Sequence, residues 1–187
     1  DYIPSYKGVI FSDGFVNTPE NFAFVLRPTS YDDAENIKNT LTKIDADKFL
    51  FVPSFLPEKD EEKIKDLLNL FDGIYADGLS GIALWKNSDK KIIVGSGLNA
   101  FNSADFYYLN KLGITDIVYS KELSKKEADS IKAKGYLFTF GKVKLAEFLY
   151  CPFKRECSRC KRGNFFSVTD ETGHKFELSR YKINGRC

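Results

Sequence analysis

Short apolar runs recur along the first 140 residues, each followed by a stretch with the period of an amphipathic helix, at intervals of about 20 to 25 residues. Phe22–Leu26, Lys48–Val52, Gly73–Ala76 and Lys91–Val94 have strand length, and residues 116–119 and 136–140 extend the series. Between them, helices are predicted over residues 57–71, 79–86, 103–112 and 125–134. A further helix follows Ser30, which reads as its N-cap, with Asp32 and Asp33 in the first turn and Ala34, Ile37, Leu41 and Ile44 on one face. An earlier short strand, Gly8–Ser12, ends at Asp13-Gly14. Such alternation calls for parallel βαβ units, because a parallel partner needs a long crossover. The fold class expected is α/β, a partial or degenerate TIM-barrel-like βα repeat over residues 1–141; an open doubly wound sheet is the other arrangement compatible with the pattern. In either one, chemistry belongs at the carboxyl ends of the strands, which directs attention to Asp77, residues 95–99, residues 120–122 and residues 141–144.

The last 46 residues, 142–187, differ from this body. All four cysteines fall there, as Cys151, Cys157, Cys160 and Cys187, in a C-x5-C-x2-C-x26-C arrangement. Gathered thiolates suit a soft metal centre, either tetrahedral zinc or an iron–sulfur cluster of the 4Fe-4S type. Cys157 and Cys160 supply a short chelating bite, and Cys151 and Cys187 close the site around a predicted hairpin over residues 165–178 that turns at Asp170-Glu171-Thr172-Gly173. Two disulfides, in any of three pairings, and free buried thiols are the alternatives. The absence of a secretory signal and the polarity of Lys154, Arg155, Glu156, Arg159 and Lys161 weigh against both. The resulting picture is a small cysteine-rich β-hairpin appendage on the βα body.

Charge divides at the same boundary. Residues 142–187 hold 11 Lys/Arg against 5 Asp/Glu, whereas residues 1–141 hold 17 against 21. A basic appendage on an acidic body either binds nucleic acid, with Lys154, Arg155, Arg159, Lys161 and Arg162 as contacts, or is a solvated surface that offsets four thiolates. No apolar run is long enough to cross a bilayer, so no membrane partner is expected and a cytoplasmic location is. A first residue of Asp1 and the lack of any methionine suggest a piece of a longer protein, whose remainder would be a partner.

The usual catalytic patterns are missing. His174 is the only histidine, so a two-histidine zinc motif cannot be built; a Ser–His–Asp site is unsupported because no nucleophile-elbow pattern occurs and His174 lies in the appendage, where its place in the hairpin turn makes it an exposed residue. Gly95-Ser96-Gly97-Leu98-Asn99-Ala100 follows a strand and precedes a helix, as a dinucleotide fingerprint does, but three βα units come before it; a plain tight turn is the favoured reading. Asn99, Asn102 and Glu122 are expected on one rim, either as ligand contacts or as residues that tie down the turns.

Residues 97–103 (GLNAFNS), 120–124 (SKELS) and 140–145 (FGKVKL) leading into Tyr150-Cys151-Pro152, with Asp170, Gly173 and Phe176 before a final cysteine, resemble peptidase family U-32, the collagenase-like proteases. The likeness covers residues 90–187 and is compatible with 20–90; the family's glycine- and alanine-rich opening βα unit has no counterpart, so the chain resembles a later-barrel or C-terminal portion. The resemblance implies either a peptidase acting on protein or peptide, or a protein of RNA or ubiquinone hydroxylation carrying a four-cysteine iron–sulfur cluster, with Cys151, Cys157, Cys160 and Cys187 as ligands. A non-catalytic accessory domain that docks a substrate is the remaining class.

If the basic appendage docks structured RNA, about three to five phosphate contacts should make binding fall roughly ten- to several-hundredfold between 50 and 200 mM salt. Titration of labelled RNA at the two salt concentrations, with Arg155 and Arg159 reversed to Glu as control, measures this.

Overall fold

In the computed structural model of the chain, the described residues are 3–85, 88–148, 151 and 163–187. The element order is β1 (Gly8–Ser12), β2 (Phe22–Leu26), α1 (Ala34–Leu41), β3 (Lys48–Val52), α2 (Glu58–Leu68), β4 (Gly73–Ala76), α3 (Leu79–Trp85), β5 (Lys91–Val94), α4 (Ser103–Lys111), β6 (Asp116–Ile117) and α5 (Lys125–Ser130). An antiparallel hairpin, β7 (Phe165–Thr169) and β8 (Lys175–Ser179), follows.

The first six strands form one parallel sheet in the order β1-β2-β3-β4-β5-β6. Each strand adds to the same edge, whereas a doubly wound sheet reverses direction partway. The strand order therefore selects the barrel-like alternative, and the sheet curls into a half-barrel.

Alternation of side chains explains why the strands read as unbroken apolar runs. Phe24, Leu26, Leu50, Val52, Ile74, Ala76, Ile92, Val94 and Ile117 face the helices and meet Ile37 and Leu41 of α1, Ile64, Leu67 and Leu68 of α2, Ile82 and Leu84 of α3, and Phe106 of α4. The intervening residues Ala23, Val25, Phe49, Phe51, Tyr75 and Ile93 form a second cluster with Val118, on the other face, joined by Tyr6, Val9 and Tyr136. Both faces of a parallel sheet must be covered, so neither set is polar.

The lead-in to β1 covers the inner face at the amino ends of the strands. The Tyr6 ring meets Phe49 edge-on, with centroids 5.7 Å apart, and its hydroxyl donates to Asp47 (2.6 Å). Lys91, at the start of β5, donates to the same Asp47 carboxylate at 2.6 Å. Asp116 accepts from the Ser5 backbone N–H and hydroxyl, both at 2.7 Å, and from the Tyr136 hydroxyl at 2.5 Å. A segment without periodicity of its own thus bridges β3, β5 and β6.

Helix α2 ends at Leu68 rather than 71, α5 at Ser130 rather than 134 and β6 at Ile117 rather than 119, and two larger differences from the sequence expectation accompany them. Helix α1 starts at Ala34 and is capped by Asp33, whose side chain accepts from Asn36 N–H; Ser30 instead forms a parallel bridge with Lys182. The C-terminal tail takes the Ser30 region: Lys182 N–H donates to Thr29 C=O, and Tyr31 N–H to Lys182 C=O. Long-range pairing has overridden a local cap. Likewise the strand expected over residues 136–140 is reduced to one bridge, Val118 to Tyr136, beyond which the chain leaves the sheet.

The hairpin pairs Phe165 with Ser179 through Thr169 with Lys175, and its turn is closed by Asp170, which accepts from the N–H groups of Thr172 (2.9 Å) and His174 (2.8 Å), with Gly173 at φ 89°. Among the described residues, no helix is long and apolar enough to cross a membrane.

The Asp47 cluster yields a pH prediction. Hydrogen bonds from Lys91 and then Tyr6 hold the Asp47 carboxyl below its usual range, against the opposing effect of burial. Its contribution to stability is therefore full above the unfolded carboxylate value of about 4 and is lost as pH falls through the lower folded value. With its side chain 40% exposed, water screens the pair, and Asp47→Asn should cost at most about 1 kcal/mol at neutral pH. Urea melts at pH 7 and pH 3 should show the gap between native and variant closing at the acid end.

Candidate functional site

The carboxyl ends of the strands bring together residues far apart in sequence. Asp77 follows β4 directly and is 5% exposed. Its N–H donates to Val52 C=O, which fixes the residue against the end of β3. One carboxylate oxygen, Oδ1, accepts from Gly97 N–H at 2.9 Å; the other, Oδ2, accepts from the Ser54 hydroxyl at 2.9 Å and from Lys144 Nζ at 2.8 Å. Lys144 also donates to Ser54 Oγ (2.7 Å) and Glu147 Oε2 (3.0 Å). Glu147 accepts in turn from the Tyr181 hydroxyl at 3.0 Å.

The glycines of the Gly-Ser-Gly turn are explained by this carboxylate. A side chain on Gly97 would overlap the Asp77 carbonyl and carboxyl groups, and one on Gly95 would overlap the Tyr75 ring and Asp77 Oδ1. Ser96–Leu98 is a single 3-10 turn, and the close approach that its glycines permit is to Asp77. The tight-turn reading is the one the structure supports.

Aromatic rings floor the same region. Phe51 and Tyr75 stack with centroids 5.9 Å apart, Phe11 meets both edge-on at 5.2 and 5.6 Å, and the Arg27 guanidinium lies 5.9 Å from the Phe11 centroid. Lys121, after β6, places its ammonium 5.3 Å from the Phe138 centroid. Burial pulls the Lys121 amine below its ordinary value, with repulsion from Lys144 adding to the fall and attraction to Asp77 opposing it. Lys144 moves the other way: burial alone would lower it, but Asp77 and Glu147 together raise it, so it stays charged. Burial and the Asp77 charge push the Tyr75 hydroxyl up, and it remains neutral at physiological pH.

Asn99 and Glu122 sit at this same end and meet through Ser120: the Ser120 hydroxyl donates to Asn99 Oδ1 and accepts from Glu122 N–H (3.2 Å). Asn99 has a left-handed backbone, φ 53°. Asn102 caps α4, its carboxamide oxygen accepting from Ala104 and Asp105 N–H while Asp105 accepts from Asn102 N–H. Its carboxamide oxygen is thus committed to the turn. Lys144 and Ser54 were not singled out individually from the sequence; the only sequence signal was that both follow, or are carried to, the carboxyl ends of strands.

The cysteine set is divided. Cys151 is half-buried and Cys187 exposed, both as free thiols. Cys157 and Cys160, with Lys154, Arg155, Arg159, Lys161 and Arg162, lie outside the described residues. Among the described residues no group of three or more metal-ligating side chains gathers. The chain on either side of the cysteine segment is nonetheless anchored: Glu147 to Tyr181, and the tail to the body. Asp32 accepts from Asn184 and Gly185 N–H (2.7 and 2.8 Å), and Asp60, 1% exposed, accepts from the Asn184 carboxamide (2.8 Å) and pairs with Arg186.

Comparison with known proteins found no matching family model, no matching curated protein and no matching solved structure.

Gly97→Ala should destabilise the chain by about 1–3 kcal/mol, the usual cost of forcing extra volume into a filled site, because backbone rather than a flexible side chain stands in the way. A urea midpoint unchanged from native would show that the turn can open freely.

Proposed function

We propose that the chain is a later-barrel portion of a U-32-type protein, a collagenase-like peptidase acting on protein or peptide, whose substrate is met at the carboxyl ends of the strands around Asp77. One observation carries this reading. Three segments on which the resemblance rests, residues 97–103, 120–124 and 140–145, are separated along the chain yet converge on one rim: Gly97 N–H and Lys144 Nζ meet on Asp77, and Asn99 meets Ser120. Convergence of otherwise unrelated loops at this end of a βα barrel is the arrangement that active sites of the architecture use.

The same reading assigns Cys151, Cys157, Cys160 and Cys187 as ligands of a zinc ion or a 4Fe-4S cluster. The donor set fits: two of the four thiols are described and unpaired, and sulfur donors select these centres over hard cations. When bound, zinc would polarise a carbonyl or hold the fold, and a cluster would pass single electrons. Within the chain, Asp77 holds a cation, Lys121 and Lys144 supply positive charge at the mouth, and the Phe11, Phe51 and Tyr75 rings give an apolar floor. A second reading, RNA modification by a protein of the same type, draws on the excess of 11 Lys/Arg over 5 Asp/Glu in residues 142–187.

Anaerobically purified protein should contain close to one metal centre per chain by elemental analysis and absorption spectroscopy, lost in Cys157→Ser and in Cys160→Ser. Because a tight site of this type supplies on the order of 10 kcal/mol of apparent binding energy, its loss should also lower the melting temperature clearly. A chain folded through Cys187 without metal would overturn the assignment.

A further inference from the structure

Residues 139–148 cross the rim without regular secondary structure. Among the described residues, no main-chain hydrogen bond ties this strap to the body; side chains hold it, Lys142 on Glu177, Lys144 on Asp77 and Ser54, and Glu147 on Tyr181. Its apolar side chains stay in water, with Phe140 94% and Leu145 78% exposed. Little apolar burial therefore favours its docked position. The main anchor is one ammonium group in one buried carboxylate.

Asp77 does not depend on that ammonium for its own placement. Gly97 N–H and the Ser54 hydroxyl, both neutral donors, fix the two oxygens, and the glycines at 95 and 97 leave room for the carboxylate alone. What remains is a charged, oriented acceptor beside an aromatic floor. A buried carboxylate with two neutral donors accepts a cation favourably and rejects a neutral side chain, which would leave the charge unpaired.

We propose that Asp77 is the receptor for a lysine or arginine side chain of a peptide substrate, and that Lys144 fills this receptor from within the chain as an internal stand-in. The proposal rests on the reading that a peptide is met at this rim. A peptide, rather than a free amine, is favoured because the present occupant is itself a length of irregular main chain laid across the rim with its lysine pointing into Asp77. A tethered competitor lowers the apparent affinity for any outside ligand by the fraction of time that the receptor is vacant. Removing the tethered lysine then opens the site.

The test uses the full chain and a pentapeptide with one central lysine, fluorescein-Gly-Gly-Lys-Gly-Gly-amide, beside its norleucine counterpart. Lys144→Ala should bind the lysine peptide about tenfold or more tighter than the native chain does, and about tenfold or more tighter than it binds the norleucine peptide. Adding Asp77→Asn should abolish the gain. Equal binding of the two peptides, or no gain over the native chain, would overturn the proposal and leave Lys144 as a structural fastening. Should Lys144→Ala fail to fold, the native chain decides: millimolar lysine peptide should shift the amide NMR signals of Gly97 and Lys144 and the norleucine peptide should not, and equal shifts from the two peptides, or none, would overturn it. Metal content reports on the U-32 reading independently of peptide binding, so the two can fail separately.

Discussion

Parallel pairing governs this molecule, because a parallel sheet leaves neither face to water. The helices meet half of the requirement by covering one face of the curl with Ile37, Ile64, Leu67, Ile82 and Phe106. The other half falls on whatever the inner face can recruit. In a closed barrel the opposite strands would do it; here Phe49, Phe51 and Tyr75 fill the concavity with their own bulk, and Tyr6 and Tyr136 close over them. The density of aromatic residues on the inner face thus answers a geometric demand of the half-barrel, and the polar ends of Tyr6 and Tyr136 are satisfied by Asp47 and Asp116.

The strands were legible because burial on both faces writes itself into sequence as uninterrupted apolar runs; Phe22–Leu26, Lys48–Val52, Gly73–Ala76 and Lys91–Val94 have the same limits in both readings. The misplaced start of α1 has a different origin. Ser30 carries every local mark of an N-cap, but its backbone neighbours are claimed by Lys182, a residue far downstream that no window around Ser30 contains. The site was half legible for the same reason. Asp77 could be picked out from its place after β4, while its partners Ser54, Gly97 and Lys144 come from three other loops, and only the curl of the sheet puts them on one carboxylate.

At the rim, charge is arranged so that one anion is held by neutral donors and the cations around it differ in environment. Lys144 is kept charged by two carboxylates, whereas Lys121 gives up part of its basicity to burial and to its like-charged neighbour. Any group that displaced Lys144 would alter the field felt by Lys121, because the Lys144 charge is one of those that set the Lys121 shift.

The sequential strand order has a consequence for how the chain is made. Each strand from β2 to β6 pairs with the one synthesised just before it, so the sheet can grow unit by unit as the chain emerges, with little loop closure required at each step. Long-range clasps break this locality, among them Ser5 to Asp116 across 111 residues and Gly185 to Asp32 across 153. The segment before β1 therefore waits for β6, and α1 cannot be fully fastened until residues 182–186 have followed. A nascent chain stopped short of residue 184 would hold an assembled sheet with Asp32 and Asp60 still without these partners.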